Sequence, residues 1–382
     1  MPRADPHTFR PDASRGGGAD PSGIARADAP GTSASPALAC VILAHDDPEH
    51  VQRLVRALDP FPVFLHIDVR TPPEVAERMA ADLPARVRLL PRIRTGWARW
   101  ENVEAELAGY RAALATGASH IAVLTGSDYP LASSDEITAL CREHAGRSMA
   151  LVHPFPHPHW GQNGGYSRLR YRHAVVRKRM LRLPIPRRLP KGITLAGGSQ
   201  LKMLAREHAR GVLDFTDANP GLVRFWRRSW IADETFVPSV LSTPSAVPGW
   251  RDELVATNLW WIAWGSTPSK SPPFLGDGEA DEVLARHRYR DELLPNFFAR
   301  KFRTGESDGI LAAIDASRAD APLPHPSHAG PSAPRLDAEP GLRSDLRPGD
   351  EPGIRSDAEP GLSSDHPSGT DPAARLREGE RS

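Results

Sequence analysis

Apolar and polar positions alternate in blocks along the front half of the chain. LACVILAH (38–45) is a continuous apolar run ending on a polar residue, the pattern of a parallel strand buried on both faces. DPEHVQRLVRALD (47–59) then spaces Val51, Leu54, Val55 and Leu58 at helical intervals, giving one apolar stripe. PVFLHID (62–68) and VRLLPR (87–92) read as the next two strands. NVEAELAGYRAALATG (102–117) predicts a helix with Gly117 as its stop. HIAVLTGSDYP (120–130) predicts a strand running into a polar turn, and SSDEITALCREH (133–144) a helix opened by Ser and Asp at capping positions. Strand and helix alternating across short polar turns predict an α/β domain with a mainly parallel sheet. Ligands of such sheets bind beyond the C-terminal strand ends. Those ends fall at 44–46, 66–68 and 125–128, and each is polar and carries an acid.

The back half is less regular. Residues 147–200 hold many Pro, Gly and aromatic residues, and GGSQLKMLAREHARGVLDF (197–215) returns to a strand or turn and then a helix. DETFVPSVL (233–241) predicts a helix, although Pro238 would remove one of its hydrogen bonds if it began at Asp233. LWWIAW (259–264) reads as a strand, DEVLARH (281–287) as a short helix, and PNFFARKF (295–302) ends the domain's elements. Residues 1–36 and 317–382 have too few large apolar side chains to offset their ordering entropy and are expected to be disordered. The C-terminal stretch carries imperfect copies at 337–345, 350–357 and 357–365, irregularly spaced, which read as low complexity and not as a solenoid. The expectation is one domain over 37–316 between two tails.

Composition narrows the class. A formal charge of +1 gives no global field toward nucleic acid, and no nucleic-acid partner is expected. Cys40 and Cys141 are the only cysteines, which suits a reducing compartment. The N-terminus has no apolar core of a signal peptide and no run of 18 apolar residues occurs. A soluble, cytoplasmic protein is the expectation. GxSxG, GxxxxGK[ST], HExxH and a GxGxxG after the first strand are all missing, which weighs against serine hydrolases, P-loop NTPases, zincins and nicotinamide enzymes.

Four stretches carry candidate chemistry. HPFPHPH (153–159) groups His153, His157 and His159, but its prolines forbid the helix that would aim the first two together, so a loop lining a polar pocket is favoured over a metal site. Residues 168–191 hold ten Lys or Arg and no acid. Such a run is either a solvated basic face or a surface for an anionic ligand, a phosphate-bearing substrate or an anionic membrane. FFARKF (297–302) sets Arg300 and Lys301 between aromatics, where they meet either a diphosphate or a partner carboxylate. WIADETF (230–236) frames Asp233 and Glu234 with apolar residues. Burying an unpaired charge is expensive, so these acids either begin a helix or include a base for chemistry.

Together these segments resemble the core-2/I-branching β-1,6-N-acetylglucosaminyltransferase family, which includes the peptide O-xylosyltransferases. ILAHDDPEHVQRLVRALD, VFLHID, GWARWENVEAEL, LTGSDYPLAS, GGSQ, DETF and FARKF carry the resemblance, in order, over most of 38–303. It implies a GT-A fold and inverting, metal-independent transfer from a UDP-sugar to a hydroxyl, with GlcNAc the first choice of sugar and xylose the second. No Asp-x-Asp occurs between 37 and 316; Asp277-Gly278-Glu279 comes nearest. The resemblance makes Glu234 the general base, with its pKa raised by the apolar frame. It assigns nucleotide and donor contacts to His45, Asp68, Trp97, Gly126, Ser127, Asp128, Ser199, Arg300 and Lys301. It assigns acceptor contacts to Trp160, Tyr166, Arg168, Gln200 and Asp233, with Asp233 capping the helix or orienting the site. The acceptor is expected to be a glycan or lipid-linked sugar, with peripheral contact at the inner face of an anionic membrane through 168–191. The chain departs from the family in having Ala98-Arg99 where Gly-Gly follows the Trp. The alternatives are a non-catalytic carbohydrate- or nucleotide-binding protein on the same fold, or a metal-dependent transferase using Asp277 and Glu279.

Overall fold

The run at 38–45 becomes β1 (Leu38–Ala44), with β2 (Val63–Ile67) on one side leading to β3 (Val87–Leu89), and β4 (His120–Thr125) on the other. All three contacts are parallel, with Cys40 level with both Val63 and Ala122. The computed structural model describes residues 35–161, 163–176, 179–264, 271–288 and 294–319, all in one unit, Ser35–Ser382. Further along come β5 (Asp128–Pro130), β6 (Ser148–Ala150), β7 (Val152–Pro154), β8 (Tyr171–Val176), β9 (Arg179–Pro186) and β10 (Ala196–Gly198). The last strands are β11 (Lys202–Ala205), β12 (Leu254–Ala256), β13 (Trp260–Ile262) and β14 (Phe298–Arg300). The main sheet has the order β12-β6-β11-β4-β1-β2-β3, and β11 alone runs antiparallel to its neighbours. The expected α/β fold with a mainly parallel sheet holds.

Alternate residues of β1 feed two cores, as the pleat requires. Leu38, Cys40, Ile42 and Ala44 face one core with α1 (Pro48–Ala57), α2 (Pro73–Ala80) and parts of three later helices, at Ser134–Glu143, Ala280–Arg288 and Asp308–Ala319. Ala39 and Val41 face the other, built on α3 (Trp100–Leu114). There a Cβ on Gly109 would sit 2.3 Å from Val41 Cγ1, so only glycine lets helix and strand approach this closely. α4 (Ser134–Glu143) begins with the predicted Ser133 cap, completed by Glu136 into a capping box. The chain continues through α5 (Tyr166–Arg170), α6 (Arg206–Ala218), α7 (Pro220–Trp226), α8 (Phe236–Leu241), α9 (Trp250–Glu253), α10 (Ala280–Arg288) and α11 (Asp308–Ala319).

Three features correct the sequence reading. DETFVPSVL is not one helix: Ala232–Glu234 is a 3₁₀ turn and α8 begins at Phe236. Pro238 therefore falls in the first turn, where its missing N–H costs nothing. FARKF does not end the domain's elements, because α11 follows and buries Ile310, Leu311 and Ile314 against the α1 side. Each such burial contributes about 1.5–3 kcal/mol, and Asp315 adds bonds from Arg53 (2.8 Å) and Tyr129 (2.7 Å). The basic run folds as an antiparallel ribbon, β8–β9, paired to no other strand among the described residues. The repeats at 337–365 lie outside the described residues, as does nearly all of both expected tails. No helix of the described residues is long and apolar enough to cross a membrane.

Candidate active site

The C-terminal ends of β1, β2 and β4 lie side by side because these strands are parallel neighbours. Asp68 N donates to Ala44 O (2.9 Å) and Gly126 N to Leu43 O (2.9 Å). His45 is exposed, with Nε2 3.6 Å from Asp46 Oδ1. A Cβ on Gly126 would come to 3.0 Å from that of Ala44, so the turn after β4 hugs β1. A small sheet, β13-β14-β5, brings FARKF to the same edge. Thr304 N donates to Asp47 Oδ2 (2.8 Å), tying the segment after FARKF to the end of β1. Ser127 belongs to the same edge: its carbonyl accepts from Phe302 N at 2.9 Å.

Several acids and cations assigned to a donor are occupied from within the chain. The Asp68 carboxylate accepts from Arg70 N, Nε and Nη2 and from Thr95 Oγ1. Burial works against its ionisation, but these donors hold it well below the usual carboxylate range. Asp128 is buried and accepts from Thr125 N (3.0 Å), Thr125 Oγ1 (2.6 Å) and Trp260 Nε1 (3.1 Å). It anchors the turn from inside, and Arg300, level with it across β5 and β14, points Nε to its Oδ1 at 3.5 Å. For Arg300 the partner-carboxylate reading is the one realised. Lys301 instead donates to Ser271 Oγ at 3.1 Å, with Phe274 beneath it. Burial first, then the neighbouring Arg300, lowers its pKa.

Of the residues assigned to an acceptor, Arg168 reaches the 3₁₀ turn and brings Trp160 with it. Glu234 is partly exposed and Arg168 Nη1 donates to its Oε2 at 2.7 Å; Oε1 makes no hydrogen bond among the described residues. The Arg168 guanidinium lies 3.5 Å from the Trp160 ring centroid and 5.6 Å from that of Trp230. Trp230 meets Trp97 edge-on at 6.4 Å. Tyr166 packs on Phe155, which packs on Trp160. Ser199 Oγ accepts from Leu201 N, and the Gln200 carbonyl accepts from Lys202 Nζ at 2.6 Å. The result is an aromatic surface with one ion-paired carboxylate facing solvent.

The apolar frame closes around Asp233 and not Glu234. Asp233 is buried, and its Oδ2 accepts from Asn102 Nδ2 at 2.9 Å. It caps neither the 3₁₀ turn nor α8. Burial, then the Glu234 charge, push its pKa up to about 7. The frame and the two acids are contiguous in sequence, and only the turn decides which acid points inward. Sequence reading missed Asn102, which also accepts from Gly96 N (3.2 Å) and so links the Trp97 loop to the acidic turn. It also missed that Ala98 (φ 60°) and Ile231 (φ 49°) both occupy the left-handed region and bond to each other, Ile231 N to Ala98 O at 3.1 Å. For a β-branched residue this is an outlier costing about 1–3 kcal/mol, the kind of strain concentrated at functional sites. The Ala98 departure from the family falls where a glycine would carry no such strain.

His153, His157 and His159 do gather, with ring centroids 4.8 to 6.1 Å apart. His157 stacks on Trp160 at 4.1 Å, and burial lowers its pKa to about 3. Among the described residues no group of three or more His, Cys, Asp or Glu could hold a metal ion. Pockets of about 550 Å³ beside Phe215 and Phe225 and about 460 Å³ beside Arg53 and Tyr129 include none of the assigned site residues.

A raised Asp233 pKa has a sign that can be checked. The folded state binds the proton more tightly, so this contribution to stability is full below about pH 4 and lost as pH rises through 7. Asp233→Asn is expected to remove that loss, gaining up to about 4 kcal/mol over wild type between those limits. Urea midpoints at a series of pH values would measure it; parallel pH profiles for the two proteins would refute the assignment.

These features define an α/β protein with a polar ligand edge and an adjoining aromatic, carboxylate-bearing surface. The Core-2/I-Branching enzyme family model matches residues 38–283. The chain belongs to that family, and is by membership a glycosyltransferase. No curated protein matches it. Among solved structures it is similar to mannose-1-phosphate geranyltransferase from Thermus thermophilus, at 16% identity over 50% of this chain and 67% of that one, with TM-score 0.24. It is also similar to HddC from Yersinia pseudotuberculosis, at 11% identity over 44% and 77%, with TM-score 0.24.

Proposed function

We propose that the chain transfers a sugar from a UDP-sugar to an acceptor hydroxyl with inversion and without a metal, taking UDP-GlcNAc first and UDP-xylose second. The observation that carries this reading is Glu234: a partly exposed carboxylate on a strained turn, oriented by Arg168, whose guanidinium lies over Trp160 and near Trp230. Glu234 takes the proton of the acceptor hydroxyl while that oxygen bonds to the anomeric carbon. The bond from that carbon to the UDP oxygen breaks, and its electron pair leaves with UDP. Attack from the face opposite UDP inverts the centre. Lys301, at the strand-end edge, meets the charge developing on the diphosphate, where a fixed cation acts most strongly. The absence of Asp-x-Asp from 37–316 supports a cation of the chain in that role.

Thermal melts with UDP, UDP-GlcNAc and UDP-xylose, each with EDTA and with Mn²⁺, test the donor half. A ligand at 100 times its Kd stabilises by about 2.7 kcal/mol, and the shift is expected to persist in EDTA. A shift that requires Mn²⁺ would overturn the role of Lys301.

A further inference from the structure

We propose that the β8–β9 ribbon docks the protein on an anionic lipid bilayer, with the outer face of β9 entering the headgroup region. For its acceptor side the idea rests on the proposed function; the docking itself does not. Two-stranded ribbons are marginal alone, and this one is held at its root. His173 N donates to Arg228 O (2.9 Å), and the Arg187 guanidinium bonds Leu169 O, Phe225 O and Ser229 Oγ. Cross-strand partners share a face. Ala174 is level with Leu181, and Arg172 with Leu183, while His173 opposite Arg182 turns the other way and stacks on Trp230. Leu181 and Leu183, two positions apart in β9, share the outer face, and Ile185 follows at the bulge where Tyr171 pairs with Pro186. Leu181 is 38% and Ile185 46% exposed, two of the six large exposed apolar side chains among the described residues.

Charge complements this apolar row. Residues 144–206 contain thirteen Lys or Arg and no acid. Arg170, Arg172, Arg188 and Lys191, near the row, are all exposed. Aliphatic side chains ringed by arginine match the boundary between acyl chains and anionic headgroups. A nucleic acid would answer the cations and leave Leu181 and Ile185 in water. The ribbon leaves α5 directly, and α5 carries Arg168, the partner of Glu234. Docking would hold the catalytic carboxylate near the membrane surface and suit a lipid-linked acceptor.

The full chain is sedimented with phosphatidylglycerol–phosphatidylcholine vesicles and with phosphatidylcholine vesicles at physiological salt. Binding is expected only to the anionic vesicles. Arg172→Gln and Arg188→Gln should each weaken it about fivefold, and the double variant Leu181→Ser/Ile185→Ser tenfold or more, with unchanged melting temperatures. No binding to anionic vesicles would overturn the proposal. So would a double serine variant that binds like wild type, since that is the behaviour of a simple polyanion site. Vesicle binding without sugar transfer would count against the proposed function and leave docking standing.

Discussion

Glu234→Gln is expected to lower kcat by about 10²–10⁴-fold while leaving donor-induced thermal stabilisation unchanged. That corresponds to about 2.7–5.5 kcal/mol of transition-state stabilisation. The substitution keeps size and hydrogen-bonding capacity but removes the group proposed to accept the acceptor's proton. Unfolding cannot mimic the effect. The Arg168–Glu234 pair is partly exposed, and pairs of that kind contribute about 0–1 kcal/mol. The donor contacts proposed above lie at the strand-end edge, so UDP-sugar melts serve as the internal control. Activity within about threefold of wild type would reject Glu234 as the base. Loss of both activity and donor stabilisation would instead make Glu234 part of the donor site.

Lys202→Met is expected to destabilise the fold by about 3–5 kcal/mol, the largest effect of a single change on stability foreseen here. Lys202 Nζ lies 2.8 Å from Glu106 Oε1, and both side chains are essentially inaccessible. Tyr110 OH also donates to Oε1 (2.5 Å), while Glu106 Oε2 has no hydrogen-bond partner. Removing the lysine strands a charge in the core, whereas removing both partners does not. Glu106→Leu/Lys202→Met should therefore recover most of the loss. Urea unfolding at neutral pH would measure both, with the midpoint falling for the single variant at an unchanged m-value. A single-variant loss below about 1 kcal/mol would show that water reaches Glu106. Lys202 also holds the Gln200 carbonyl, so the single variant is expected to disturb the loop at residues 199–200.

Periodicity and order of motifs made the α/β class, the central strands, the Ser133-capped helix and the family resemblance legible in the sequence. Those signals act over a few residues: a pleat alternates every second position, a helical stripe repeats every third or fourth, and a cap joins neighbours. Glu234 stood out for the same local reason, an acid in an apolar frame. The frame could not say which of two adjacent acids points inward, because that depends on a turn strained at Ile231 and tied to Ala98. Nor could it pair Arg168 with Glu234, 66 residues away, or Lys202 with Glu106, 96 away. The Asp128 partner of Arg300 likewise follows from strand pairing between β5 and β14. A charge's partner is chosen by whatever the packed chain brings within a few ångströms, so tertiary structure alone decided which charges face solvent and which hold the fold together.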